Sequence, residues 1–199
     1  YVGNRSDFAA GNAFIQLLKG ETVPDHAGND LTTNPFAGMM DPRIHIYAQD
    51  NNQTSYPYGS RATPEGNYVG MPIAETSAEA ATFVWESLPG SAIIERPDYP
   101  MTLMEYAEVE FILSELNRWD DQHYRDGVRT SMEKWNAMDS ENEISGDIDP
   151  YVNNLPAASE TTVLAQKYIA LYMQATTAWS EYRRTNTTFP DILVKPGDQ

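Results

Sequence analysis

The sequence predicts a mainly α-helical fold with long irregular loops and minor β structure. Three observations predict it. Residues 101–116 run without Gly or Pro and are rich in Leu, Met, Ala and Glu, which favour helix. A second helical pattern follows after only Trp119 and two aspartates, and so short a link packs the two helices antiparallel. A third segment repeats apolar residues three, four or seven apart, the spacing of one helix face.

The chain is organised around residues 98–119. Thr102 and Glu105 have capping-box spacing, and Pro100 stands where a missing donor does no harm. At 100° per residue the apolar residues from Leu103 to Leu116 fall almost all the way round, so the helix is expected to be buried. Glu105, Glu108 and Glu115 share one narrow side of it, and buried charges need partners. Arg183 and Arg184 are the expected partners, because a guanidinium engages a carboxylate through two parallel bonds. The three glutamates therefore read as structural groups, not as a general acid and base.

Composition narrows the classes of function. Four Trp and 12 Tyr in 199 residues supply enough apolar surface for a folded core. Thirteen Lys and Arg against 29 Asp and Glu give a net charge of −16, which repels phosphate backbones and excludes nucleic acid as a partner. With no cysteine there is neither a disulfide framework nor a thiolate metal site. No run is long enough to cross a bilayer, and the first residue is Tyr1, so the chain reads as a piece of something longer.

In chain order, residues 7–19 form a short amphipathic helix that Gly20 and Pro24 stop. Residues 21–40, rich in Asp, Asn, Gly, Thr and Pro, read as loop. In residues 41–49 Ile44 and Ile46 alternate with His45 and Tyr47, the period of a half-buried strand, with His45 a satisfied structural group. Residues 50–72 set Tyr56, Tyr58 and Tyr68 among Arg61, Asn67, Gly and Pro. Rings with amide and guanidinium neighbours on an irregular segment suit sugar recognition, where rings stack on C–H faces and polar groups fix hydroxyls. The other reading of each ring is an anchor that packs down with its hydroxyl wet.

Thr76 and Glu79 offer a second capping box, yet residues 82–85 also read as strand; Trp85 is either core or ligand platform. Leu88, Pro89 and Gly90 predict a turn. The second helix spans residues 121–138 with the stripe Tyr124, Val128, Ser131 or Met132, Trp135 and Met138. Gly127 within it implies close approach of the neighbouring helix. Residues 139–149 read as a solvated acidic loop. Calcium is the alternative cofactor there, but Ile144 stands at the sixth position, where a calcium loop needs Gly, and Pro150 at the twelfth. The third helix starts near Ser159 or Glu160, carries Leu164, Tyr168, Leu171, Tyr172 and Ala175 on one face, and bends at Thr176–Thr177 before Trp179, Tyr182 and the arginine pair. Beyond Pro190 the chain is a polar tail.

Five blocks in this order carry a resemblance: the DPR of residues 41–43, the helix of residues 100–115, YRDGVRTSMEKW at 124–135, AQKYIALYMQ at 165–174 and AWSEYRRT at 178–185. Together they resemble the C-terminal part of the SusD/RagB family of outer-membrane nutrient-binding lipoproteins. The resemblance implies a tetratricopeptide-like helical scaffold whose irregular loops bear the ligand site, in one SusD-like unit: loop-rich over 1–99, a helical layer over 100–185 and a polar tail over 186–199. It implies a non-catalytic protein of Bacteroidetes that binds oligosaccharides, or sometimes peptides, for a TonB-dependent SusC-like transporter. Such a protein is surface-exposed and held to the outer membrane by an N-terminal lipid that this chain does not carry.

No family motif places ligand residues here, so the expected set comes from loop composition: Tyr56, Tyr58, Arg61, Asn67, Tyr68 and Trp85, with no resident cofactor. Two other classes compete with glycan capture. One is a carbohydrate-active hydrolase using paired carboxylates, although the sequence has no GxSxG, HExxH or phosphate-binding Gly loop. The other is a helical-repeat scaffold that binds only protein.

Overall fold

The computed structural model describes residues 9–24, 30–32, 34–50, 68–71, 87–94 and 96–185. Eight helices dominate them: α1 (Asn12–Lys19), α2 (Ile44–Tyr47), α3 (Ser91–Ile94), α4 (Tyr106–Leu116), α5 (Asp121–Met138), α6 (Ser145–Asn154), α7 (Glu160–Ala170) and α8 (Ala175–Thr185). The β structure is small. Strands β1 (Val23–Pro24) and β2 (Asp30–Thr32) pair antiparallel inside the segment expected to be loop.

The α4–α5 hairpin is the centre of the packing, with α7 laid across both helices, α6 on α5 and α8 on α7. Helix α5 has the predicted bounds. Asp120 caps it by accepting from His123 N at 3.0 Å, and Tyr124, Val128, Ser131, Met132 and Trp135 are buried along one stripe. Each fully buried large apolar side chain contributes about 1.5–3 kcal/mol, so this stripe is a main source of stability. Helix α7 starts where expected, with Ser159 and Thr162 exchanging capping bonds. Gly20 ends α1 at φ +69°, and a Cβ there would lie 2.6 Å from the Met39 carbonyl oxygen. Only Gly suits that position.

Six expectations are corrected. Residues 44–47 form a single helical turn, not a strand. Tyr47 N bonds Arg43 O at 2.8 Å, and Ile44, Ile46 and Tyr47 are all buried. A turn covered on nearly every side imitates alternation because only His45 reaches the surface region. Pro89 of the expected 88–90 turn is instead extended, bridging Ala48 antiparallel.

The central helix begins at Tyr106, not at the Thr102 box. Glu105 is its extended N-cap residue, and its carboxylate bonds Lys134 and accepts from Gln174 Nε2 at 3.0 Å. The helix is also not buried all round, since Tyr106 is 64% and Leu116 74% exposed. Residues 145–154 are helix, not acidic loop: Ile148, Tyr151 and Val152 bury one side, and Ile144 and Leu155 flank it. The expected bend at Thr176–Thr177 lies earlier, where Met173 adopts φ +68° between α7 and α8.

One buried polar network ties the N-terminal elements to the hairpin. Arg43 is 0% exposed; its Nε donates to Asp41 Oδ1 at 2.9 Å and its Nη1 to Ser131 Oγ at 2.9 Å. Nη2 donates to Asp41 Oδ2 at 2.5 Å and also bonds Gln166, whose Nε2 donates to Tyr151 Oη at 3.0 Å. Burial pulls the guanidinium toward neutrality, but the Asp41 carboxylate outweighs it and holds Arg43 above its ordinary range. Among the described residues no helix is long and apolar enough to cross a membrane.

Candidate functional site

The residue before α1, its N-cap Gly11, has a backbone that pairs in parallel with Met71: Asn12 N donates to Met71 O at 2.8 Å and Met71 N to Ala10 O at 2.7 Å. Ala10 N donates in turn to Ser87 O at 2.9 Å, and Ser87 N to Val69 O at 2.7 Å. On the other side Gln49 N donates to Leu88 O at 2.8 Å and Gly90 N to Tyr47 O at 2.9 Å. The chain ends that flank residues 51–67 and 72–86 are thus stitched into one junction.

This junction forms a wall of a cavity of about 390 Å³. Gly11 and Pro89, which carry the two bridges, line it together with Ala9, Ala10, Ala13 and Phe14. Tyr168 of α7, Leu171, Tyr172 and Met173 just past its end, and Ala175 and Ala178 from α8, complete it. The rings are held by an aromatic stack. Phe14 lies on Tyr172 with centroids 5.1 Å apart and planes 11° apart, and Tyr47 lies on Tyr172 at 4.3 Å. Trp135 meets Tyr47 edge-on at 4.8 Å. Tyr172 Oη donates to Tyr47 O at 3.1 Å, so its ring is fixed at both ends, and burial raises its phenol above the usual range. A preformed apolar pocket with few polar groups is the usual form of a small-ligand site.

Of the six expected ligand residues, Tyr56, Tyr58, Arg61, Asn67 and Trp85 lie outside the described residues. Tyr68 lies within them and is buried, 8% exposed. Its hydroxyl and His45 Nδ1 share a hydrogen bond at 2.6 Å, with the rings edge-on at 5.5 Å. Burial, then the Asp50 charge, push its phenol up. Tyr68 is thus placed as an anchor of the loop end, and His45 as the satisfied group expected of it. The capping box at Thr76 also lies outside the described residues.

The helix carboxylates are engaged. Glu115 accepts both Arg184 Nη1 at 2.6 Å and Arg184 Nη2 at 2.8 Å, the bidentate pair expected of the EYRRT run. Glu105 takes Lys134 and Gln174 instead of an arginine. Burial raises Glu108 above the ordinary carboxylate range, opposed by the charge of Lys167, which itself bonds Glu181 at 2.9 Å. A fourth carboxylate went unread in the sequence: Glu110, 5% exposed, bonds His123 Nδ1 at 2.7 Å. The antiparallel hairpin was the signal that could have found it.

In the acidic segment Asp139 spends both oxygens on local donors, from Glu141 N at 2.9 Å and Asn142 Nδ2 at 2.9 Å. Among the described residues no group of three His, Asp or Glu is placed to hold a metal ion.

A family model, SusD-like, described as starch-binding and associating with the outer membrane, matches residues 6–199. No curated protein and no solved structure gives a match.

Proposed function

The chain belongs to the SusD-like family of starch-binding proteins that associate with the outer membrane, and on that premise we propose that it captures oligosaccharide for a SusC-like TonB-dependent transporter without breaking a bond. The observation that carries this reading is the junction. The described residues that flank both segments expected to hold sugar-binding residues are tied, through the Gly11–Met71 and Ala48–Pro89 bridges, to Gly11 and Pro89, which line one aromatic cavity. Ligand groups on irregular segments held by a rigid scaffold are the common arrangement of binding proteins.

In this mechanism the rings of Tyr56, Tyr58 and Trp85 stack on sugar C–H faces, and Arg61 and Asn67 fix hydroxyls. Tyr68 anchors the loop end through His45. Capture needs no proton transfer, which suits Glu105 and Glu115, both already paired. Surface display through a lipid anchor outside residues 1–199 belongs to the same proposal.

The test is isothermal titration of the intact protein against neutral and acidic oligosaccharides, with reducing-sugar release assayed in the same samples. Binding without release is expected, with Tyr56→Ala or Tyr58→Ala losing about 1 kcal/mol of affinity. Release of reducing ends overturns the capture mechanism, and a panel without binding overturns the glycan reading.

A further inference from the structure

Helix α8 separates the two arginines of the EYRR run. Both are exposed, but Arg184 turns to Glu115 and to Glu181 at 2.7 Å, leaving Arg183 on a different side of the helix. Trp179, one turn before Arg183, is 53% exposed. At 100° per residue Thr176, Trp179 and Arg183 fall within one 60° stripe of the helix. The indole is held in place, for Tyr182 stacks on it with centroids 5.8 Å and planes 13° apart, and Tyr182 packs against the core. The next residue back, Ala178, lines the aromatic cavity, as do Ala175 and Met173. Trp179 thus follows directly on a residue that lines the cavity, without lining it itself.

A clamped, exposed indole with a guanidinium one turn away has two complementary capacities. The ring offers a flat apolar face at low entropic cost, and the planar fork of donors matches vicinal hydroxyls. The net charge of −16 disfavours an acidic ligand. We propose that Trp179 and Arg183 form a stacking platform for a neutral oligosaccharide, continuing the cavity along α8. This rests on the glycan-binding reading and adds a subsite on a helix, away from the loops.

The experiment is calorimetric titration of the intact protein and of Trp179→Ala, Trp179→Phe and Arg183→Ala with maltoheptaose, cellohexaose and xylohexaose, alongside thermal melts. The wild type binds at least one of the three. Trp179→Ala weakens that binding about five-fold or more, Arg183→Ala weakens it less, and Trp179→Phe stays within about two-fold of wild type. Ligand also changes the tryptophan emission of the wild type, and much of that change is lost in Trp179→Phe. Unchanged affinity in Trp179→Ala, with the wild type binding, overturns the platform while leaving glycan capture standing. A wild type that binds none of the three overturns the reading beneath it as well.

Discussion

Gly127 of α5 faces the ring of Phe111 on α4 so closely that a Cβ at position 127 would lie 3.0 Å from two of its ring carbons. The ring is fully buried, and close packing around it resists the shift that a new methyl would demand. In an isolated helix Gly127→Ala would gain about 1 kcal/mol of propensity. Here the added methyl overpacks the hairpin, at a cost of about 1–3 kcal/mol, so the net change is destabilising. Urea denaturation of Gly127→Ala in the wild type and in a Phe111→Ala background checks this. The substitution is expected to stabilise the second background, and equal effects in both would refute the contact.

Arg43 is the second point where one substitution carries far. Its guanidinium serves Asp41, Ser131 and Gln166 together, from inside the protein. Arg43→Met leaves the Asp41 carboxylate buried and uncompensated, which costs about 3–5 kcal/mol. Adding Asp41→Asn should recover part of that loss. A midpoint shift worth less than about 1 kcal/mol for the single change would contradict the network as the tie between α2, α5 and α7.

Elements with both a stripe and a cap were legible in the sequence. Helix α5 has Asp120 and a clean apolar recurrence, α7 has Ser159, and α1 has Gly20 at its end. Hairpin geometry also reads out: Phe111 and Gly127 are equidistant from Trp119, and Glu105 and Lys134 nearly so. What escaped was decided by long-range contacts. The four-residue turn at Ile44 is too short and too evenly buried to show a period, and the five acidic residues of 139–149 mask the spacing of Ile144, Ile148 and Tyr151. At the candidate site the Phe14–Tyr47–Tyr172 stack joins three separate segments, so no local pattern announces it. Trp179 is legible as a helix residue, but its exposure depends on how the chain turns at Met173 before α8.

The outer face of α4 gives a third expectation. Tyr106, Val109, Leu113 and Leu116 lie side by side on it, and its two ends are open. Leu116→Ser should then change stability by no more than about 0.5 kcal/mol, whereas Phe111→Ala on the buried face should cost about 3–5 kcal/mol. Both are read from denaturation midpoints. A loss above about 2 kcal/mol for Leu116→Ser would mean that this face is covered in solution.

The Glu110–His123 pair predicts how stability depends on pH. A bond from the Tyr106 hydroxyl, then the His123 ring, hold Glu110 below its ordinary value of 4.5. The hydrogen bond to Glu110 raises His123 above 6.5. A carboxylate with a lowered folded pKa stabilises above its unfolded value, and that contribution is lost as pH falls through the folded one. A histidine with a raised folded pKa stabilises below its unfolded value, and that contribution is lost as pH rises through the folded one. Both contributions are complete between pH 4.5 and 6.5 and fade on either side. Because the histidine is partly exposed, salt should weaken the effect. The measurement is the difference in melting temperature between wild type and His123→Gln, in which all other groups cancel. It should be largest inside that window and shrink toward pH 9, and a difference that stays constant across that range would rule out the pair as the cause.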